Sequence, residues 1–265
     1  MIGNLLRRIF GGRGDTRGAL TLQPGWNDEH TADALRAAIA RFIREPLAYP
    51  PNIDFEMVAR LKAASESADY MVSRMMGAQN LVNRAALLDF AVAQSTIDGL
   101  VMEFGVFRGE SLRFLAKRFA REVHGFDSFE GLPEDWTYFQ KQGRFSLDGQ
   151  IPQFSEKNIR IHKGWFEQTL PGFLDLHAGA AGFIHVDCDI YSSTRTVLHL
   201  LAPRIVKGTV IVFDEYLNYP AWQAHEFKAF QEFLAAHGFA YRYLGFASSH
   251  SSVRSEEHTS ELQSH

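Results

Sequence analysis

GLVMEFGVFRGESLRFLAKRFA, residues 99–120, decides how this chain is read. Its first part is the short, continuous apolar run of a buried strand, and ESLRFLAKRFA has the spacing of the helix that follows. Between them, Gly105 and Gly109 let the backbone turn tightly and approach a ligand, and the helix N-terminus adds a dipole that favours negative charge. The spacing is GxxxG, not the GxGxxG of a dinucleotide fingerprint. Glu103 sharpens the reading: an acid at the end of a buried strand is costly without a partner, and a ligand ammonium is such a partner.

Downstream the same texture repeats. VHGFD (123–127), IRIHKG (159–164), AGFIHVD (181–187), GTVIVFDEY (208–216) and FAYRYLGFA (239–247) read as further strands. They are interleaved with helices such as STRTVLHLLAPRI (193–205) and HEFKAFQEFLAAHG (225–238). This alternation predicts an α/β fold with a doubly wound, mostly parallel, Rossmann-like sheet and ligands beyond the carboxyl ends of the strands. Upstream the pattern is helical: ADALRAAIARFI (32–43), a break at Pro46, Pro50 and Pro51, then DFEMVARLKAASESADYMVSRMMG (54–77) and NLVNRAALLDFAVAQ (80–94). The expected organisation is a flexible N-terminal segment over 1–30, a helical extension over 31–96 and the α/β domain over 97–253. RSEEHTSELQSH (254–265) translates a common short-read sequencing adapter codon for codon, so it is read as an adapter-derived tail and left out of the fold reading. The last antiparallel strand, starting near Ser251, is accordingly expected to be truncated, with an exposed sheet edge.

Composition narrows the function classes. Nearly half the residues are hydrophobic (46%), with 22 Phe, enough for a substantial core. A net charge of −4 without a long basic run points away from nucleic acid. No apolar run approaches the ~20 residues of a membrane span. MIGNLLRRIFGGRG lacks the h-region and cleavage site of a signal peptide, and a single cysteine, Cys188, fits a reducing cytoplasm.

Three further positions carry chemistry. Asp127, about twenty residues after the glycine turn, is placed to accept hydrogen bonds from ribose hydroxyls. Asp187 and Asp189 lie two apart where a strand emerges into its loop, and Asp214 and Glu215 end the next strand. Four clustered carboxylates repel unless a cation neutralises them, and a hard divalent ion is the natural candidate; the bland reading makes Asp189, Ser192 or Ser193 a helix cap instead. Trp222, His225 and Glu226 are candidates for an acceptor pocket, with Trp222 as a core anchor and His225–Glu226 as a solvated helix start in the competing reading. His185 reads as a satisfied core histidine, and Phe227, Phe230 and Phe233, at helical spacing, as core.

With these pieces in place the chain resembles the macrocin and noviose O-methyltransferase family over roughly 70–247. The resemblance rests on MVSRMMGAQNLVN, VMEFGVFRGESLRFLA, GFDSFEGLPE, KGWFEQTLP, HVDCDIYSST and GTVIVFDEY, in that order. It implies S-adenosylmethionine held by Glu103, Gly105, Gly109, Ser111, Asp127 and Ser128, with Met76, Gly164, Trp165 and Asp187 completing the site. It further implies Mg²⁺ or a similar divalent ion on Asp187, Asp214 and Glu215, and Asp189 as general base. The family usually carries Asp where this chain has Glu215, whose longer arm shifts the ion. The implied reaction is methyl transfer to a hydroxyl of a sugar or sugar-containing natural product, in a possible homo-oligomer. Competing readings are a catechol-type enzyme with a phenol acceptor, a nicotinamide dehydrogenase, disfavoured by its missing third glycine, and a non-catalytic cofactor-binding scaffold.

Overall fold

A computed structural model describes residues 55–138, 140–248 and 256–263, the last as backbone strand. The expected flexible segment over 1–30 and the helix read over 32–43 lie outside the described residues. The described residues belong to one compact unit. Helix α1 (Phe55–Arg74) leads to a short strand β1 (Gln79–Leu81) and helix α2 (Arg84–Gln94). The alternating part follows: β2 (Leu100–Phe104), α3 (Glu110–Ala116), β3 (Val123–Asp127), β4 (Ile159–Lys163), α4 (Phe166–Leu176), β5 (Ala181–Val186), α5 (Tyr191–Leu201), β6 (Thr209–Leu217), α6 (Glu226–His237) and β7 (Ala240–Ala247). A last strand, β8, spans Glu256–Gln263.

These strands form one sheet of order β1-β7-β8-β6-β5-β2-β3-β4, parallel except for β8. The chain steps outward from β2 to β4, then returns to the other side of β2 with β5, so the strand order reverses between β2 and β5. A crevice opens at such a switch point, beyond the carboxyl ends of the two strands. Both faces of the sheet are covered, and period-two alternation sorts the side chains. Val101, Val123, Phe183, Val210 and Val212 meet Leu88 and Ala91 of α2 and Leu112 and Leu115 of α3. Met102, Phe104, Ile184 and Phe213 meet Phe173 of α4, Leu198 of α5 and Phe230 and Phe233 of α6. Trp222, almost fully buried, is a core anchor, packing edge-on against Tyr70 of α1 and Phe227.

Two expectations are corrected. The helix read over 80–94 starts only at Arg84: the Asn83 Oδ1 accepts from the Ala86 N–H at 2.9 Å, as an N-cap does, while Gln79–Leu81 pair with β7. A free sheet edge offers the backbone as much hydrogen bonding as a helical turn, so Leu81 is a strand residue. The last strand, expected to be truncated, is present over eight residues and closes the space between β6 and β7. Ladder hydrogen bonds join backbone to backbone and ask little of side-chain identity, so a segment excluded on its sequence can still fill that slot.

Candidate active site

The crevice at the switch point is a cleft of about 320 Å³. Its floor is the turn after β2. Gly105 has φ +93°, and a Cβ there would sit 1.7 Å from the carbonyl oxygen of Asp187, so only glycine fits where the turns after β2 and β5 touch. Gly109, φ +76°, is the N-cap of α3, and a Cβ on it would strike the Phe154 ring. Asp127 closes β3 and binds this turn: Oδ2 accepts from the Val106 and Phe107 N–H groups at 2.7 and 2.8 Å, and Oδ1 from the Phe129 N–H at 2.7 Å. Three amides thus fix its carboxylate at the cleft wall beside Ser128, Gly164 and Trp165.

Of the residues implied for the cofactor, Gly105, Asp127, Ser128, Gly164, Trp165 and Asp187 line the cleft. The others stand elsewhere. Ser111 is buried within α3, and Met76 is largely exposed outside the cleft, its neighbour Met75 being the buried one. Glu103 is fully buried and faces a protein partner rather than the cleft: its Oε2 lies 2.8 Å from the His185 Nδ1. The reason is the sheet register, which sets Glu103 directly beside His185 on the neighbouring strand. Burial opposes a charged imidazole there, but Asp214 and Glu103 outweigh it and lift the His185 pKa to about 10. His185 is a core histidine paired through Nδ1 with Glu103, while its buried Nε2, 3.9 Å from the Asp214 Oδ1, has no hydrogen-bond partner among the described residues.

The acid cluster divides into two groups. Asp187, Asp189 and Glu215 bring one carboxylate oxygen each within 4.8 Å of one another, and all three line the cleft. Asp214 instead groups with His185 and Asp187. The implied ligand set Asp187, Asp214 and Glu215 is thus split, because successive side chains of β6 leave on opposite faces. Between the halves lies Arg84, the first residue of α2. Its Nη2 donates to the Asp187 Oδ2 at 2.8 Å, and its Nε lies 2.8 Å from the Asp214 Oδ1. Burial and the Asp214 charge push the Asp187 carboxyl up to about 7, against the pull of Arg84. Burial and the neighbouring acids likewise hold Glu215 well above the usual carboxylate range. Asp189 sits in the left-handed region at φ +65°, a conformation that Asp tolerates better than most residues but that still costs energy. It does not cap α5, which begins at Tyr191 without a side-chain cap, and the Ser192 hydroxyl donates to Glu134.

Glu226 corrects the idea of a solvated helix start. It is fully buried, and its Oε2 accepts from the Glu215 N–H at 3.1 Å, holding the end of β6 from behind the acid cluster. His225 is half-buried near the Trp136 and Tyr219 rings. Those two rings line a second chamber of about 400 Å³, together with Phe55, Tyr138 and Pro220 and the polar Glu56, Arg60 and Gln140. Arg84 was missed from the sequence, although a signal existed: a cation at the first position of a helix opposes the helix dipole, and calls for another reason to be there.

Comparison with known proteins agrees with this architecture. The family profile of macrocin-O-methyltransferase matches residues 31–241. A tetracenomycin-C 4'-O-methyltransferase from Streptomyces olivaceus, acting on a rhamnosyl derivative by its name, is 29% identical over 54% of this chain. The match spans 62% of that enzyme's length. Mycinamicin III 3''-O-methyltransferase from Micromonospora griseorubida is 24% identical over 78% of this chain and 91% of its own. Among solved structures, a calicheamicin methyltransferase shares the fold with a TM-score of 0.53 at 20% identity, covering 82% of this chain and 94% of the other. Because the family profile covers most of the chain, this protein belongs to the macrocin-O-methyltransferase family.

Proposed function

We propose that this protein is an S-adenosylmethionine-dependent O-methyltransferase that methylates a hydroxyl on the sugar of a glycosylated natural product. The observation that carries the reading is the cleft itself: an amide-anchored carboxylate, Asp127, on one wall and a carboxylate group, Asp187, Asp189 and Glu215, on the other. Asp127 accepts the ribose hydroxyls of the cofactor, with Ser128, Gly164 and Trp165 around the nucleoside. The turn at Gly105–Phe107, which lines the same cleft, would hold the rest of the cofactor, and the cofactor would supply the methyl group.

Asp189 accepts the proton of the acceptor hydroxyl as its oxygen takes the methyl. Fixing the hydroxyl in line with the sulfonium is the remaining task, and positioning alone lowers such a barrier substantially. The oxygen donors of the acid group, among them the buried Glu215 Oε2 with no hydrogen-bond partner among the described residues, suit a hard divalent ion. When bound, such an ion supplies the Lewis acidity that lowers the acceptor's pKa. In the second chamber the rings of Phe55, Trp136, Tyr138 and Tyr219 offer faces for a flat apolar portion of an acceptor.

The test is transfer of radiolabelled methyl from S-adenosylmethionine to a panel of aromatic O-rhamnosides, with free rhamnose and catechol alongside. Labelling of the rhamnosides in preference to both supports the reading. Labelling of catechol alone moves the acceptor to the phenol class.

A further inference from the structure

We propose that Trp136 and Tyr219 hold a carbonyl or ether oxygen of the acceptor's non-sugar portion, and that the second chamber takes an uncharged, flat ring system rather than an anionic one. The proposal rests on the acceptor reading above and names what the chamber recognises. Trp136 and Tyr219 line the chamber with 8% and 6% of their surface exposed, their rings meeting edge-on at 5.5 Å. Neither the Trp136 Nε1 nor the Tyr219 hydroxyl has a hydrogen-bond partner among the described residues. The His225 ring stands against both, its centroid 6.5 Å from that of Trp136 and 6.2 Å from that of Tyr219. Its buried Nδ1 is likewise without a partner among the described residues. Buried polar atoms in folded proteins are nearly always satisfied, so three orphans in one ring cluster mark a place where a ligand oxygen belongs.

The chemistry of the cluster selects the ligand. Burial, then the Glu226 and Glu215 charges, holds the Tyr219 hydroxyl well above its ordinary range, an effect that Trp136 offsets only in part. The phenol therefore keeps its proton, and with the indole N–H it makes a pair of donors suited to an oxygen that only accepts. Burial lowers the His225 pKa, so that ring adds no charge near neutral pH. Glu56 and Arg60 are the charged residues of the lining, and the Arg60 Nε donates to the Glu56 Oε1 at 3.0 Å. Their charges cancel, which leaves nothing in the lining to compensate a ligand carboxylate. Two chain segments border both spaces: Leu132 and Pro133 line the cleft and Trp136 the chamber, as do Glu215 and Tyr219 in turn. Recognition of the ring is thereby tied to the segments that border the reacting hydroxyl.

The test is calorimetric titration of the full chain, saturated with S-adenosylhomocysteine, with the rhamnosides of methylumbelliferone, para-hydroxybenzoate and methanol. S-adenosylhomocysteine binding and the circular-dichroism melt are recorded for every variant. The methylumbelliferyl rhamnoside joins a flat uncharged ring to a carbonyl oxygen, and is expected to bind at least about tenfold more tightly than the other two. Tyr219→Phe and Trp136→Phe are each expected to weaken it by about three- to tenfold, the worth of one hydrogen bond, with S-adenosylhomocysteine affinity unchanged. The Tm of Tyr219→Phe is expected to hold, since the substitution removes a polar group that the fold leaves unsatisfied. Tyr219→Phe keeps the ring and decides the matter if Trp136→Phe fails to fold. A folded Tyr219→Phe variant that binds the methylumbelliferyl rhamnoside as well as wild type overturns the proposal, and a lowered Tm beside that unchanged affinity assigns the orphan atoms to a resident water. Equal binding of the three rhamnosides also overturns it. A chain that binds S-adenosylhomocysteine but none of the rhamnosides overturns the subsite and leaves the cofactor site standing. A folded chain that binds neither fails both.

Discussion

At the scale of single residues, the site depends on a few positions where chemistry and backbone geometry coincide. Gly105 is the clearest. A side chain there meets the Asp187 carbonyl and needs a φ that L-residues avoid. Gly105→Ala is therefore expected to cost at least about 2 kcal/mol and to lose S-adenosylhomocysteine binding, measured by denaturant melts and calorimetry. Stability unchanged by that substitution would contradict the contact between the two turns. Asp189→Asn keeps the shape and removes the base. Its kcat is expected to fall roughly 10²–10⁴-fold while cofactor affinity holds, and an equal loss in both would give Asp189 a binding role instead. Asp127, Asp187, Asp189 and Glu215 were legible in the sequence because each lies at or near the carboxyl end of a readable apolar strand, β3, β5 or β6. Arg84 and the burial of Glu226 were not, since each reaches the acids from an element whose docking no local pattern encodes. Glu103 was legible as a buried acid in need of a partner. The partner was His185, set beside it only by the register of β2 against β5.

At the scale of elements, the alternation of apolar runs and amphipathic helices made β2 to β7 readable, and the short edge strand β1 escaped because three residues carry no periodicity. One consequence concerns the edge formed by β3, β4 and α4, where three imidazoles pack together. The His124 Nδ1 and His162 Nε2 lie 3.2 Å apart, and the His177 ring sits 5.2 Å from that of His124. Burial, then the His162 and His177 charges, lowers the His124 pKa to about 4. The folded state thus binds the proton less readily than the unfolded chain, whose histidine titrates near 6.5. This contribution to stability is fully present above pH 6.5 and is lost progressively as pH falls toward 4. His124→Asn is expected to flatten the fall in Tm between pH 7 and 5 relative to wild type. Parallel curves for the two proteins would show that His124 does not govern it.

At the scale of the whole molecule, the sheet is continuous only because β8 lies between β6 and β7, with antiparallel pairing on both sides. Removing residues 254–265 leaves two unpaired ladders facing each other beside the strand that carries Asp214 and Glu215. The shortened chain is expected to melt at lower temperature and to associate in sedimentation velocity, as exposed edges do. A monomer with the Tm of the full chain would mean that β8 contributes nothing to the fold. No helix among the described residues is long and apolar enough to cross a membrane. The account as a whole turns on whether the crevice between β2 and β5 is a cofactor site, and isothermal titration with S-adenosylhomocysteine asks this directly. The account predicts saturable binding by the full chain, weakened at least about tenfold in a folded Asp127→Ala variant. A folded chain that gives no heat, or an Asp127→Ala variant that binds as well as wild type, would contradict it.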